Sequence, residues 1–134
     1  MDPILSKIIP TALFLLFIFL SGFWLSRSGK PYKPFIFNIH KLIGLAAGIF
    51  LGVTVHQVNK AAPLEPAQIA CVAVTISIFV VNVADGGLVS IDAEGGLKNA
   101  SQALRTAIGR VHKLFPYLAA LSTAITLYLL LFAV

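Results

Sequence analysis

Two histidines open matching stretches of this chain. His40-Lys41-Leu42 and His112-Lys113-Leu114 stand 72 positions apart, each at the start of a strongly apolar run. An ionisable side chain in or beside hydrocarbon is costly unless something holds it, so each imidazole is a functional candidate whose partner has to be found. The obvious partner of each histidine is the other. If their segments run parallel, the two rings lie at one depth and can clamp a single planar metal cofactor, and haem is the usual guest of two histidines in an apolar setting.

Composition supplies the elements that must position the rings. Of 134 residues, 58% are hydrophobic and only 11% charged, and the mean hydropathy is +0.93. That is one compact domain by length and too apolar for a soluble one. Four stretches, 8–25, 35–58, 67–84 and 111–134, can each cross a hydrocarbon core of roughly 30 Å, which takes about 20 residues. Short connections such as 59–66 make consecutive spans antiparallel. The expected fold is therefore all-α, an integral membrane antiparallel four-helix bundle occupying residues 1–134 as one domain. Spans two and four then run parallel, as the histidine pairing requires.

Charge sets the expected orientation. The first connection carries Arg27, Lys30 and Lys33, followed by Lys41, and the third carries Lys98, Arg105, Arg110 and Lys113 around Asp92 and Glu94. The middle connection offers only Lys60 and Glu65. By the positive-inside bias, the first and third connections face the cytoplasm, while both chain ends and the middle connection lie outside an inner or plasma membrane. Lys7 ahead of an apolar run imitates a signal peptide, but Gly22-Phe23-Trp24-Leu25 is too bulky for a cleavage site. Trp24 reads instead as an interfacial anchor of a retained helix. Cys71 has no intrachain partner and reads as packing, and Asn82 as a helix–helix hydrogen bond.

The segment 85–110 is the only sizeable polar one. Gly86-Gly87 and Gly95-Gly96 punctuate it as turns. Between them and the fourth span, Ala100, Ala103, Leu104, Ala107, Ile108 and Val111 recur at helical spacing opposite Lys98, Gln102 and Arg105. This is an amphipathic helix, either lying on the membrane surface or extending span four and delivering Arg110 and Lys113 beside His112.

A wide flat ring needs small residues on the helix faces that meet it. Positions i+4, i+7 and i+8 from His40 are Gly44, Ala47 and Gly48; from His112 they are Pro116, Ala119 and Ala120, with Thr123 one turn beyond. Small residues also permit close helix packing for its own sake. Lys33, Lys41, Arg110 and Lys113 are placed to meet two haem propionates, and ordinary positive-inside topology explains them equally well. His56 follows His40 by 16 positions, and the matching residue after His112 is Tyr128. Sixteen residues rotate His56 by roughly 160° from His40, and Tyr128 stands where a second histidine pair would need its partner, so one haem is expected. His56, Gln57 and Tyr128 form either an interfacial polar cluster or part of a quinone pocket.

The His-Lys-Leu openings, Gly86-Gly87-Leu88-Val89-Ser90 after span three, and His112-Lys-Leu-Phe-Pro together resemble the small b-type membrane cytochromes of the four-helix cytochrome b and ferric-reductase-like superfamily. The likeness covers about 39–130. It implies one haem b ligated by His40 and His112, electron transfer within or across the membrane, and a partner that is a quinone, a redox subunit or a second copy of the chain. No flavin or nicotinamide fingerprint is present, so any such chemistry belongs to a partner for which this chain is the membrane anchor. Nothing in the chain points to nucleic acid. Two competing classes stay open: a non-catalytic structural subunit of a larger membrane complex, and a small transporter. The transporter is disfavoured because the spans lack a central Asp or Glu and a pair of broken helices.

Overall fold

The computed structural model describes residues 5–131. The expected end of the fourth span at Val134 and the expected position of both chain ends lie outside the described residues. The chain forms four helices, α1 (Leu5–Ser28), α2 (Pro34–Ala61), α3 (Pro66–Ala93) and α4 (Gln102–Leu131), with no strand among the described residues. All four are long and apolar enough to cross a membrane. At 1.5 Å per residue, the 28 residues of α2 rise about 42 Å, more than a hydrocarbon core of about 30 Å requires. The helices therefore outrun the apolar stretches that forecast them.

Local chemistry explains most boundaries. Pro34 and Pro66 stand in the first turns of α2 and α3, where the missing N–H has no intrahelical partner to lose. At the start of α3 the Glu65 N–H donates to Gln68 Oε1 at 2.8 Å, and Gln68 Nε2 reaches across to the Leu129 carbonyl at 3.0 Å. At its end Gly95 takes φ +82°, a left-handed backbone suited to glycine. The expected turn at Gly95-Gly96 is thus present. The turn expected at Gly86-Gly87 is not: both residues lie inside α3, which runs on to Ala93. The third connection shrinks to residues 94–101, and the amphipathic segment is the first part of α4 rather than a separate surface helix.

Packing is strongest within two helix hairpins. In α3/α4, Gln68 meets Leu129, Thr75 meets Thr126 and Asp85 meets His112, so the contacts descend α4 as they climb α3. In α1/α2, the Phe14 and Phe50 rings lie tilted at 47° with centres 5.7 Å apart, and Ser21 meets His40. Between the hairpins, α2 touches α3 modestly and α1 touches α4 slightly, which leaves α2 and α4 on a diagonal. Polar straps tie the hairpins at the histidine end. Asp92 pairs with Lys30 of the first connection at 3.2 Å and Lys41 Nζ of α2 donates to Ser90 Oγ at 2.7 Å, while the 2.6 Å pair of Asp92 with Arg105 lies within α3/α4.

The interior is small and rich in hydroxyls, whereas the outside is greasy. Ala47, Ala119, Thr11, Thr54, Thr75, Thr123 and Thr126 are buried, while Leu16, Phe17, Val80, Leu121 and Ile125 are exposed. Helices associating in lipid gain little by hiding leucine from leucine-like chains, so close approach and interhelical hydrogen bonds do more of the work. The Thr75–Thr126 hydroxyl pair, 2.8 Å apart and buried, is the clearest case. Thr126→Val should lower stability by about 0.6 kcal/mol and by no more than about 1.7 kcal/mol, read from reversible unfolding in detergent micelles. Thr54→Val, whose hydroxyl donates to Phe50 O within α2, should cost less, and equal losses would remove the interhelical bond as the cause.

Candidate functional site

His40 and His112 face each other. Their ring centres are 6.4 Å apart and the ring planes are nearly perpendicular, at 86°. His40 sits six residues into α2 and His112 ten residues into α4, at the end where α1 and α3 finish. The diagonal pairing expected from the matched openings is therefore present.

Each ring is held by the helix that precedes it. Ser21 Oγ of α1 lies within hydrogen-bond distance of both the Ile18 carbonyl, at 3.1 Å, and His40 Nδ1, at 2.8 Å, and which of the two receives its proton depends on the His40 tautomer. With the hydroxyl proton on the Ile18 carbonyl, Nδ1 carries the imidazole proton and Nε2 keeps its lone pair. On the other side Asp85 of α3 brings Oδ2 to 3.2 Å from His112 Nδ1. The two atoms are buried and stop short of good hydrogen-bond geometry. A carboxylate oxygen beside Nδ1 selects the same tautomer. The two imidazoles thus stand close together, each with its Nδ1 beside a polar side chain of the preceding helix.

Glycines make room for the rings. A Cβ on Gly22 would lie 3.0 Å from His40 Cε1, and one on Gly86 would lie 3.1 Å from His112 Cε1. This close approach explains why Gly86 sits within a helix instead of a turn. Pro116, four residues after His112, has no N–H to offer the His112 carbonyl, so α4 loses one backbone bond at the turn that carries this ring.

Other expected residues fall into place unevenly. Ala47 and Ala119, each seven residues beyond its histidine, are both only 4% exposed. Gly44 and Gly48 instead admit neighbouring helices: their missing Cβ atoms would meet Ile18 Cδ1 at 2.9 Å and Phe79 Cδ1 at 3.5 Å. Lys41 is engaged with Ser90 and lies over the Phe37 ring, its Nζ 4.3 Å from the centre. Arg110 and Lys113 are exposed at the histidine end. His56 lines an open cleft of about 400 Å³ with Asn59, Leu64 and Ile69, between α2 and the start of α3. Gln57 and Tyr128 are exposed and do not line that cleft.

Sequence reasoning missed Ser21, Gly22 and Gly86 and gave Asp85 no role beyond a span end. A signal existed. Ser21-Gly22 and Asp85-Gly86 are 64 positions apart, as are the buried Thr11 and Thr75, so α1 repeats in α3 as α2 repeats in α4. Among the described residues no three His, Cys, Asp or Glu side chains gather as a metal cage. The chain matches no family model, no curated protein and no solved structure.

Gly86 and Gly87 give a direct test of the ring contact. Alanine is the better helix former by about 0.8–1.0 kcal/mol, and a Cβ on Gly87 would meet nothing within 4 Å. Gly87→Ala should therefore stabilise. Gly86→Ala should destabilise, since pressing the His112 ring aside carries an overpacking penalty of about 1–3 kcal/mol. Parallel unfolding curves in micelles measure both, and a stabilised Gly86→Ala protein would show that the ring yields freely.

Proposed function

We propose that this chain is a b-type haem-binding integral membrane protein that carries electrons, built as an antiparallel four-helix bundle with one haem held by His40 and His112. The observation that carries the reading is the close pair of histidines, with His40 Nδ1 hydrogen-bonded to Ser21 and His112 Nδ1 lying 3.2 Å from Asp85 Oδ2. A metal bound between two imidazole nitrogens at about 2.0–2.1 Å from each, with about 1 Å from nitrogen to ring centre, separates the ring centres by roughly 6 Å. The observed 6.4 Å suits that demand. Two protein ligands without a third favour a metal whose other positions are filled by a macrocycle over a bare ion.

When bound, haem supplies reversible one-electron chemistry at its iron. The chain's own residues supply the rest. Ser21 and Asp85 fix the imidazole tautomers, Gly22 and Gly86 give the rings space, and Ala47 and Ala119 keep the helix faces beyond them low. Arg110 and Lys113 are exposed at the same end, where propionates would reach the interface. The cations clustered around the first and third connections, Arg27, Lys30, Lys33 and Lys41 at one and Lys98, Arg105, Arg110 and Lys113 at the other, support a cytoplasmic position for that end and an outside position for the middle connection. The exchange partner is then a membrane quinone or a redox subunit on the cytoplasmic side.

Protein purified after expression with ample haem should show the visible bands of a low-spin six-coordinate haem, oxidised and reduced. His40→Ala or His112→Ala should abolish or convert them, and a colourless, folded wild type would return the chain to the class of structural subunits. A pyridine haemochrome assay should find about one haem per chain, retained in His56→Ala; two haems with one lost in that variant would restore a transmembrane relay. In a Cys71→Ala background, an impermeant thiol reagent added outside should label Ala62→Cys and spare Ser28→Cys and Ser101→Cys. The reverse pattern would move the haem to the outer leaflet.

A further inference from the structure

The two histidines are equivalent by position and unequal by partner. Their holders occupy the same place in the two hairpins, one residue before the glycine that clears the ring, yet one is a serine and the other an aspartate. Ser21 offers His40 a neutral hydroxyl oxygen already polarised toward Ile18 O. Asp85 offers His112 a carboxylate, and its side chain is only 8% exposed, so no solvent shell dilutes its influence on the ring. Lys41, Arg105 and Lys30 are committed to Ser90 and Asp92. None of the ion pairs found among the described residues joins Asp85 to a lysine or arginine.

Resting on the haem reading, we infer that Asp85 is a positioning residue that holds His112 as the more electron-rich of two unequal axial ligands and biases the bound metal toward its oxidised state. A carboxylate accepting from Nδ1–H raises the basicity of Nε2 and orients the ring, and such outer partners commonly affect metal retention as strongly as they affect potential. A negative charge close to the metal also favours the higher of its two charge states. Ser21 orients His40 without that charge. The orphaned geometry between Asp85 Oδ2 and His112 Nδ1 fits a pair whose alignment is completed only when Nε2 is engaged.

The test uses haem-loaded full-length protein in micelles, with midpoint potentials taken from visible spectra at one fixed pH. Asp85→Asn keeps size and an acceptor oxygen but removes the charge, and its potential should rise well above that of wild type. Ser21→Ala should move the potential little. Asp85→Ala should lose haem about 10–100-fold more readily. Ser21→Asp places a second carboxylate at the equivalent position and should lower the potential, which keeps the inference exposed to refutation if Asp85 variants fold poorly. A potential in Asp85→Asn unchanged from wild type, or shifted no further than in Ser21→Ala, overturns the inference while leaving the haem assignment standing. A wild type that takes up no haem overturns the assignment itself.

Discussion

A histidine among apolar helices has two ring nitrogens to satisfy and a flat ring to accommodate, and the arrangement of this chain follows from meeting both demands twice. An unmade hydrogen bond to a buried polar group costs far more than a made one contributes. Each Nδ1 is therefore met by a polar side chain of the preceding helix, Ser21 for His40 and Asp85 for His112. The holder can reach its ring only if the two backbones come close, and the residue next in line is in both cases a glycine. Holder, glycine and histidine form a unit that one hairpin can build by itself. What it cannot build by itself is a partner for Nε2.

That requirement shapes the packing around it. Helices that must approach closely need low faces, and alanine and threonine share the buried positions beyond both histidines with leucine and valine: Ala47, Leu51, Thr54 and Val58 on α2, Ala119, Thr123, Thr126, Leu127 and Leu130 on α4. Threonine serves here because its hydroxyl can bond within its own helix, as Thr54 does to Phe50 O, or across to a neighbour, as Thr126 does to Thr75. Many large side chains are turned outward, where lipid can receive them, although Leu25, Leu51, Leu127 and Leu130 are buried. The molecule is thus held by short contacts and a few polar bonds rather than by a thick apolar core.

Much of this was legible from residue order, and the failures have physical causes. The four helices and the pairing of His40 with His112 follow from hydropathy and from one repeated tripeptide, both of which are local signals. Gly86-Gly87 misled because the pair is a turn signal in water, whereas a membrane helix tolerates glycine readily and here needs Gly86 for clearance. The helices run past the apolar spans at α3 and α4 because hydropathy marks where the chain stops being apolar, not where it stops being helical. Gly44 and Gly48 were read from helical spacing alone, which places a residue on a face without saying which neighbour covers it; Ile18 and Phe79 do. The holders Ser21 and Asp85 lie on other helices than their histidines, so no spacing within one helix could reveal them. Only comparison of the two halves does, through the offset of 64 positions in α1/α3 beside that of 72 in α2/α4.

The duplicated plan also explains where cohesion is concentrated. Contacts are dense inside each hairpin and sparse between them, so docking of the hairpins depends on few groups. Asp92 bridges Lys30 and Arg105, Lys41 reaches Ser90, and Phe19 meets Tyr117 with ring centres 5.4 Å apart. All three links lie toward the end that carries the histidines. Since His40 belongs to one hairpin and His112 to the other, anything that engages both Nε2 atoms adds its binding free energy directly to the docking step, in the manner of any ligand that binds only the assembled state. A thin interface between the hairpins thus makes their docking sensitive to any group that bound both histidines.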